Sequence, residues 1–485
     1  MEGRALQLIS DANAEVQKHQ ETVESDYYRL GYHLMPPVGL LNDPNGFIQY
    51  KGTYHLFYQW NPFKTGHGAK FWGHYISKDL IHWTHEEIAL APSDWFDKNG
   101  CYSGSAVSAD GKMKLFYTGN VKDEQGNRET YQCLAESEDG VHFTKKGVVV
   151  ELPDGYTAHF RDPKVWNHDD HWYMIVGAQS EDLQGKAALL KSVDLKEWHL
   201  LGNIAGSNEG QLGDFGYMWE CPDLFSLHGK DVLIVSPQGL KPEGMLYNNV
   251  YQSGYFVGEL NYETGKMSHG RFVELDRGFE FYAPQTTVDD KGRRLLFAWM
   301  GVPEQAEDQH PTIAHQWVHA MTLPRELVLV DEKLYQRPVA ELDEQRVDEV
   351  LYENEVVASE MKQLEGVNGD QLELVVDVIN NDAERFEIAL RDEARIIYDV
   401  REERLTLERK SFSDNERAIE ARHCKLTQLQ QLRIFLDTSS IELFVNEGEE
   451  VFTARLFPEK ENKNITINAV NGTTGITVRK FKIKN

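Results

Sequence analysis

The chain has 485 residues, 41% of them hydrophobic and 26% charged, and a formal net charge of −28. That length exceeds what one compact core holds and points to two or more domains. The charge argues against a nucleic-acid partner, which needs basic footprints, and disfavours an anionic ligand unless a local basic pocket is built. The four cysteines, Cys101, Cys133, Cys221 and Cys424, have neither metal-type spacing nor the density of a disulfide scaffold. Free thiols in a reducing compartment are expected.

In chain order, residues 1–30 read as a polar helical extension of about three to five turns. It has no apolar run of signal-peptide type, and no run of 18 apolar residues occurs anywhere. A cytoplasmic location without membrane contact is the expectation.

Residues 31–345 carry a repeat. The segments "DPNGFIQYKGTYHLFYQ" from Asp43, "SGSAVSADGKMKLFYTG" from Ser103, "RDPKVWNHDDHWYMIVGA" from Arg161, "CPDLFSLHGKDVLIVSPQ" from Cys221 and "APQTTVDDKGRRLLFAWMG" from Ala283 each read as strand, turn, strand. Their turns, at Gly52, Gly111, Asp170, Gly229 and Gly292, are 59, 59, 59 and 63 residues apart. Between them recurs Ser-x-Asp-x-x-x-aromatic, from Ser77, Ser137 and Ser192. Asp79, Asp139 and Asp194 are expected to close turns on their own backbones. Five such units predict a five-bladed β-propeller, each inner strand lining a central funnel. From residue 346 the texture changes. A charged connector, "EQRVDEVLYENEVVASEMKQLEGVNGDQ", precedes alternating runs such as "QLELVVDV", "RFEIALRD", "LRIFLD", "SIELFVN" and "ITVRKFKI", which predict a C-terminal β-sandwich over 346–485. The fold class is therefore all-β.

The alignment puts three acids at the start of inner strands, in what read as equivalent positions: Asp43 in blade one, Asp162 in blade three and Glu220 in blade four. They should converge at one mouth of the funnel. Clustered acids push each other's pKa values apart, which is what acid/base chemistry uses. Cleavage of a glycosidic bond between two carboxylates is the reaction class that fits. His315 and His319 have the i, i+4 spacing of a helical zinc pair. They lack the Glu of such a motif and a third ligand, so no metal is expected.

The boxes "NDPNG", "FRDP" and "WECPD", in this order, resemble those of glycoside hydrolase family 32, the invertases and related fructosidases. The resemblance spans nearly the whole chain. Many members begin the first box with Trp-Met, where this chain has Leu40 and Leu41. The resemblance implies that Asp43 is the nucleophile and Glu220 the general acid and base of a double displacement with retention, their carboxyls roughly 5 to 5.5 Å apart. It implies that Asp162 binds fructose hydroxyls and that Arg161 offsets the charge of the cluster. Asn42, Gln59, Trp72, Tyr102, Ser103, Tyr282 and Trp299 are the further candidates for sugar contacts.

No cofactor is implied. The expected substrate is sucrose or its 6-phosphate, and a monomer and a homodimer are both compatible with the sequence. Lys64, His67 and Lys70 follow Gln59, and for them a phosphate contact at the rim and a solvated loop both stay open. So do a fructan hydrolase or fructosyltransferase of the same family, an inverting arabinan-type propeller enzyme, and a non-catalytic sugar-binding propeller.

Overall fold

The computed structural model describes residues 2–210 and 212–484. It consists of a β-propeller of five sheets followed by a β-sandwich of two. The N-terminal helix, Glu2–Glu24, is longer than expected. Its apolar stripe of Leu8, Ile9, Ala12, Val16 and Val23 packs on the core that blade one shares with blade five. No helix among the described residues is long and apolar enough to cross a membrane.

The innermost strands of the blades are Gly39–Tyr50, Cys101–Ala109, Tyr156–His168, Met218–Leu227 and Tyr282–Val288. The second strands, such as His171–Ser180 and Arg294–Met300, carry near-continuous apolar runs because each sheet is covered on both faces. The apolar residues form a separate core between each neighbouring pair of blades. Phe57 and Leu115 meet between blades one and two, Phe116 and Met174 between two and three, and Ile175 and Leu233 between three and four. Ile234 and Leu296 meet between four and five, and Leu295 and Leu56 between five and one. The ring is closed by Trp317–Val318, a short strand between the second and third strands of blade five that pairs in parallel with the start of Gly39–Tyr50.

The predicted Asp turns are present. Asp79, Asp139 and Asp194 each accept two backbone N–H bonds from the residues two and three positions on.

Every innermost strand carries a β-bulge within one residue of the same height. The pairing register slips between Leu41 and Pro44, Cys101 and Gly104, Arg161 and Lys164, Glu220 and Asp223, and Tyr282 and Gln285. A bulge turns successive residues toward one side and re-aims them. Asp162, Cys221 and Ala283 accordingly have left-handed φ values of 66°, 46° and 49°, a strained geometry for non-glycine residues that clusters at working sites. The result is two tiers of funnel-facing residues. Asn42, Tyr102, Arg161, Glu220 and Tyr282 form the outer tier. Asp43, Ser103, Asp162, Cys221 and Ala283 form the inner one. Glu220 thus sits one position ahead of Asp43 and Asp162 rather than level with them.

Below the tiers, polar clasps tie each blade to the next. Gly104 N–H donates to Asn45, Ser105 bonds Pro163 and Val165, and Lys164 pairs with Asp223 at 3.1 Å. Asp223 accepts from Thr286, and Gln285 accepts from Phe47 N–H.

The sandwich comprises a six-stranded and a five-stranded antiparallel sheet around one apolar core. The segment read as a charged connector contains a strand, Arg346–Val357, paired with Thr474–Ile483. It lies at the edge of its sheet, where charged side chains are the usual means of blunting an exposed edge, and this hid its strand pattern.

Candidate active site

The funnel mouth holds a cavity of about 290 Å³ lined by Asn42, Asp43, Gln59, Tyr102, Ser103, Arg161, Asp162, Glu220, Tyr282 and Trp299. Ten of the eleven predicted site residues therefore meet at one place. Trp72 does not. Its indole is fully buried, packed on Phe57 and Tyr117, and its N–H donates to the Tyr102 carbonyl at 3.0 Å. It supports the wall from behind and has no surface facing the cavity. Aromatic residues serve as core more often than as sugar platforms, and a sequence does not separate the two uses.

Asp43 is gripped at both oxygens. Ser103 donates to Oδ2 and Asn42 to Oδ1. Burial raises its pKa above the ordinary aspartate value, while the bond from Ser103 works the other way. Glu220 accepts two bonds at Oε1 from Arg161, at 3.1 and 2.6 Å. Its Oε2 accepts from the Tyr282 hydroxyl and from Gln238, both at 2.7 Å. Burial opposes its charge, but the Arg161 guanidinium and the Tyr282 hydroxyl outweigh burial and hold Glu220 below its usual value. Asp162 accepts the Cys221 N–H at 3.0 Å. Burial, helped by the negative charge of Glu220 and against the pull of Arg161, raises it to about 7. The Cys221 sulfur lies 3.6 Å from both Asp43 and Asp162 and links the pair.

Five further lining residues escaped the sequence reading: Gly68, Arg128, Gln238, Pro303 and Glu304. Gln238 ends the second strand of blade four and Arg128 follows a polar hairpin, and neither carries a motif. Of the three rim candidates, Lys64 is exposed and outside the cavity, whereas His67 and Lys70 line it. Lys70 is buried and donates to Asn42 at 2.7 Å, so it orients the residue that holds Asp43. Burial brings Lys70 down to about 7. His67 is bonded to Glu307 at 2.9 Å. The His315–His319 segment is a short 3-10 turn and a strand rather than an α-helix, and His319 faces Glu307. A larger groove of about 670 Å³ on the flank of blade four contains no converging acids. Its Glu274 is already paired with Arg277.

Residues 33–338 match the family model for the glycosyl hydrolases family 32 N-terminal domain, and residues 341–485 that for the family 32 C-terminal domain. The chain belongs to glycosyl hydrolase family 32. It is 57% identical to the sucrose-6-phosphate hydrolase of Bacillus subtilis (strain 168) over 464 residues, 96% of either chain. Among solved structures it is similar to the sucrose-6-phosphate hydrolase of Lactobacillus gasseri, at 32% identity and a TM-score of 0.87, covering 97% of this chain and 96% of the other. It is likewise similar to a mutant of the Bombyx mori β-fructofuranosidase in complex with sucrose, at 33% identity and a TM-score of 0.85, covering 98% of each chain. The family-32 assignment makes the chain a glycoside hydrolase, with the three acids and their partners gathered at the mouth of the propeller's funnel.

Proposed function

We propose that the chain is a retaining β-fructofuranosidase of the cytoplasm that hydrolyses sucrose-6-phosphate, and sucrose itself, to release fructose. The observation that carries this reading is the convergence of buried Asp162 and the partly buried Asp43 and Glu220 on one sugar-sized cavity in a family 32 chain. The relatives' names supply the phosphorylated substrate. A sugar phosphate does not cross membranes freely, so its hydrolase works where the phosphate was added.

Asp43 attacks the anomeric carbon of the fructosyl unit, and the bond to the glycosidic oxygen breaks as Glu220 gives that oxygen its proton. Water then attacks the fructosyl-Asp43 ester. Glu220 takes the water's proton, and Asp43 leaves as carboxylate. Ser103 and Asn42 keep Asp43 oriented throughout, and Lys70 holds Asn42.

Before substrate enters, burial favours the cluster's proton on Asp162, while the Arg161 guanidinium favours an ionised Glu220. Sugar hydroxyls donating to Asp162 favour its charged form, so substrate binding drives that proton toward Glu220. Tyr282 accommodates both states of the acid. It donates to ionised Glu220, and it accepts from protonated Glu220 when its own hydrogen turns to the Ser236 carbonyl 3.4 Å away.

Initial rates of the purified protein on sucrose and sucrose-6-phosphate, side by side, test the reading. Turnover of both is expected, with the higher kcat/KM on the phosphate ester. A folded protein that cleaves neither contradicts it.

A further inference from the structure

A chain of net charge −28 that takes a dianionic phosphate ester must offset its own field locally. Three cations line the active-site cavity: Lys70, Arg128 and Arg161. Two are already engaged. Lys70 bonds Asn42 and His67. Arg161 spends two nitrogens on Glu220 and a third on His159. Among the described residues, the Arg128 guanidinium has no hydrogen bond or ion pair. It leans on the Tyr102 ring, 5.7 Å from the centroid, and its charge is felt by Arg161, Glu220 and Asp162.

Its placement is fixed by the backbone. Arg128 begins the third strand of blade two and pairs there with Lys122. The intervening turn is locked by Asp123, which accepts the N–H groups of Gln125 and Asn127 and the side-chain amide of Asn127. A half-buried, unpartnered guanidinium is thus held over the mouth on the blade two side. The acid that lines the mouth from a loop within blade five, Glu304, accepts from the Tyr251 hydroxyl. Blade one separates the two, so the rim is positive on one side and negative on the other.

The deep end of the cavity, at Asp43 and Asp162, takes the fructosyl unit, so the leaving glucosyl unit lies outward of Glu220. We propose that Arg128 is the specificity residue that receives the 6-phosphate of the leaving sugar. Its planar fork binds two phosphate oxygens at once, and repulsion from Glu304 keeps the phosphate on the blade two side. This assignment rests on sucrose-6-phosphate being a substrate.

The test compares the wild-type protein with Arg128→Gln and Arg128→Lys, measuring kcat/KM on sucrose-6-phosphate and on sucrose and inhibition by glucose 6-phosphate. Arg128→Gln is expected to lower the ratio of the two kcat/KM values at least tenfold. It should raise the inhibition constant of glucose 6-phosphate by a similar factor, with an unchanged unfolding midpoint. Arg128→Lys, which keeps the charge and loses the fork, should fall between. A wild-type preference that persists in Arg128→Gln, or an equal loss on both substrates, overturns the assignment to Arg128 alone. A wild-type protein with no preference for the phosphate ester overturns the substrate reading and this inference with it.

Discussion

At the scale of single residues, the site's behaviour rests on where one proton resides. Asp162, raised to about 7 by burial and by Glu220, holds it in the free enzyme, while Arg161 keeps Glu220 ionised. Because kcat/KM reports ionisations of the free enzyme, its alkaline limb is expected near pH 7. Asp162→Asn leaves Glu220 as the site for that proton, and Arg161 holds its affinity low. The alkaline limb of the variant should therefore move to lower pH, alongside a fall in kcat as bonds to the sugar are lost. A limb that stays in place in a pH–rate profile of Asp162→Asn contradicts this distribution.

At the scale of elements, blade geometry is set by short-range chemistry that repeats. The Asp139 turn fixes the start of the outer strand Thr144–Val150 by accepting the N–H groups of Val141 and His142 at 2.9 Å each. Asp139→Ala is expected to destabilise the protein by about 1 kcal/mol with kcat unchanged, as read from urea unfolding and rate measurements. A kcat loss at unchanged stability would mean that this turn does more than hold its blade. Such turns, and the hairpins between them, were legible in the sequence because alternation and turn residues recur at a constant interval. The bulges were not legible, because a bulge shifts register by one residue without altering composition. That is why Glu220 read as level with Asp43 and Asp162, although it belongs with Asn42 and Arg161. Trp72 and Arg128 mark the other limit: whether an aromatic ring faces a core or a cavity, and whether an arginine is already paired, depends on neighbours far along the chain. The edge strand Arg346–Val357 was masked by the charges that suit its position.

At the scale of the whole molecule, propeller and sandwich share buried charge as well as apolar surface. Phe435, Phe444 and Val451 of the six-stranded sheet join the core between blades five and one. Beside them, His33 bonds Asp437 at 2.7 Å and Glu442 at 3.0 Å. Glu442 continues to Arg325 at 2.6 Å and Arg325 to Asp276 at 3.2 Å, with all five side chains buried. Burial alone would lower the His33 pKa, but the bonds to Asp437 and Glu442 raise it to about 9. A pKa raised above its unfolded value of about 6.5 gives stability that is complete below pH 6.5 and lost as pH climbs through 9. This contribution is on the order of 3 kcal/mol. Urea unfolding of the wild-type protein should weaken over that window, and His33→Gln should flatten the dependence. A variant that keeps the full pH dependence would exclude His33 as its source.

The central claim is that Asp43 and Glu220 act as nucleophile and acid in a double displacement. The most direct measurement is the anomeric form of the first fructose released from sucrose-6-phosphate, followed by NMR before mutarotation. The account predicts β-fructofuranose, with configuration retained. Initial α-fructofuranose would show single displacement by water and would remove Asp43 from the role of nucleophile.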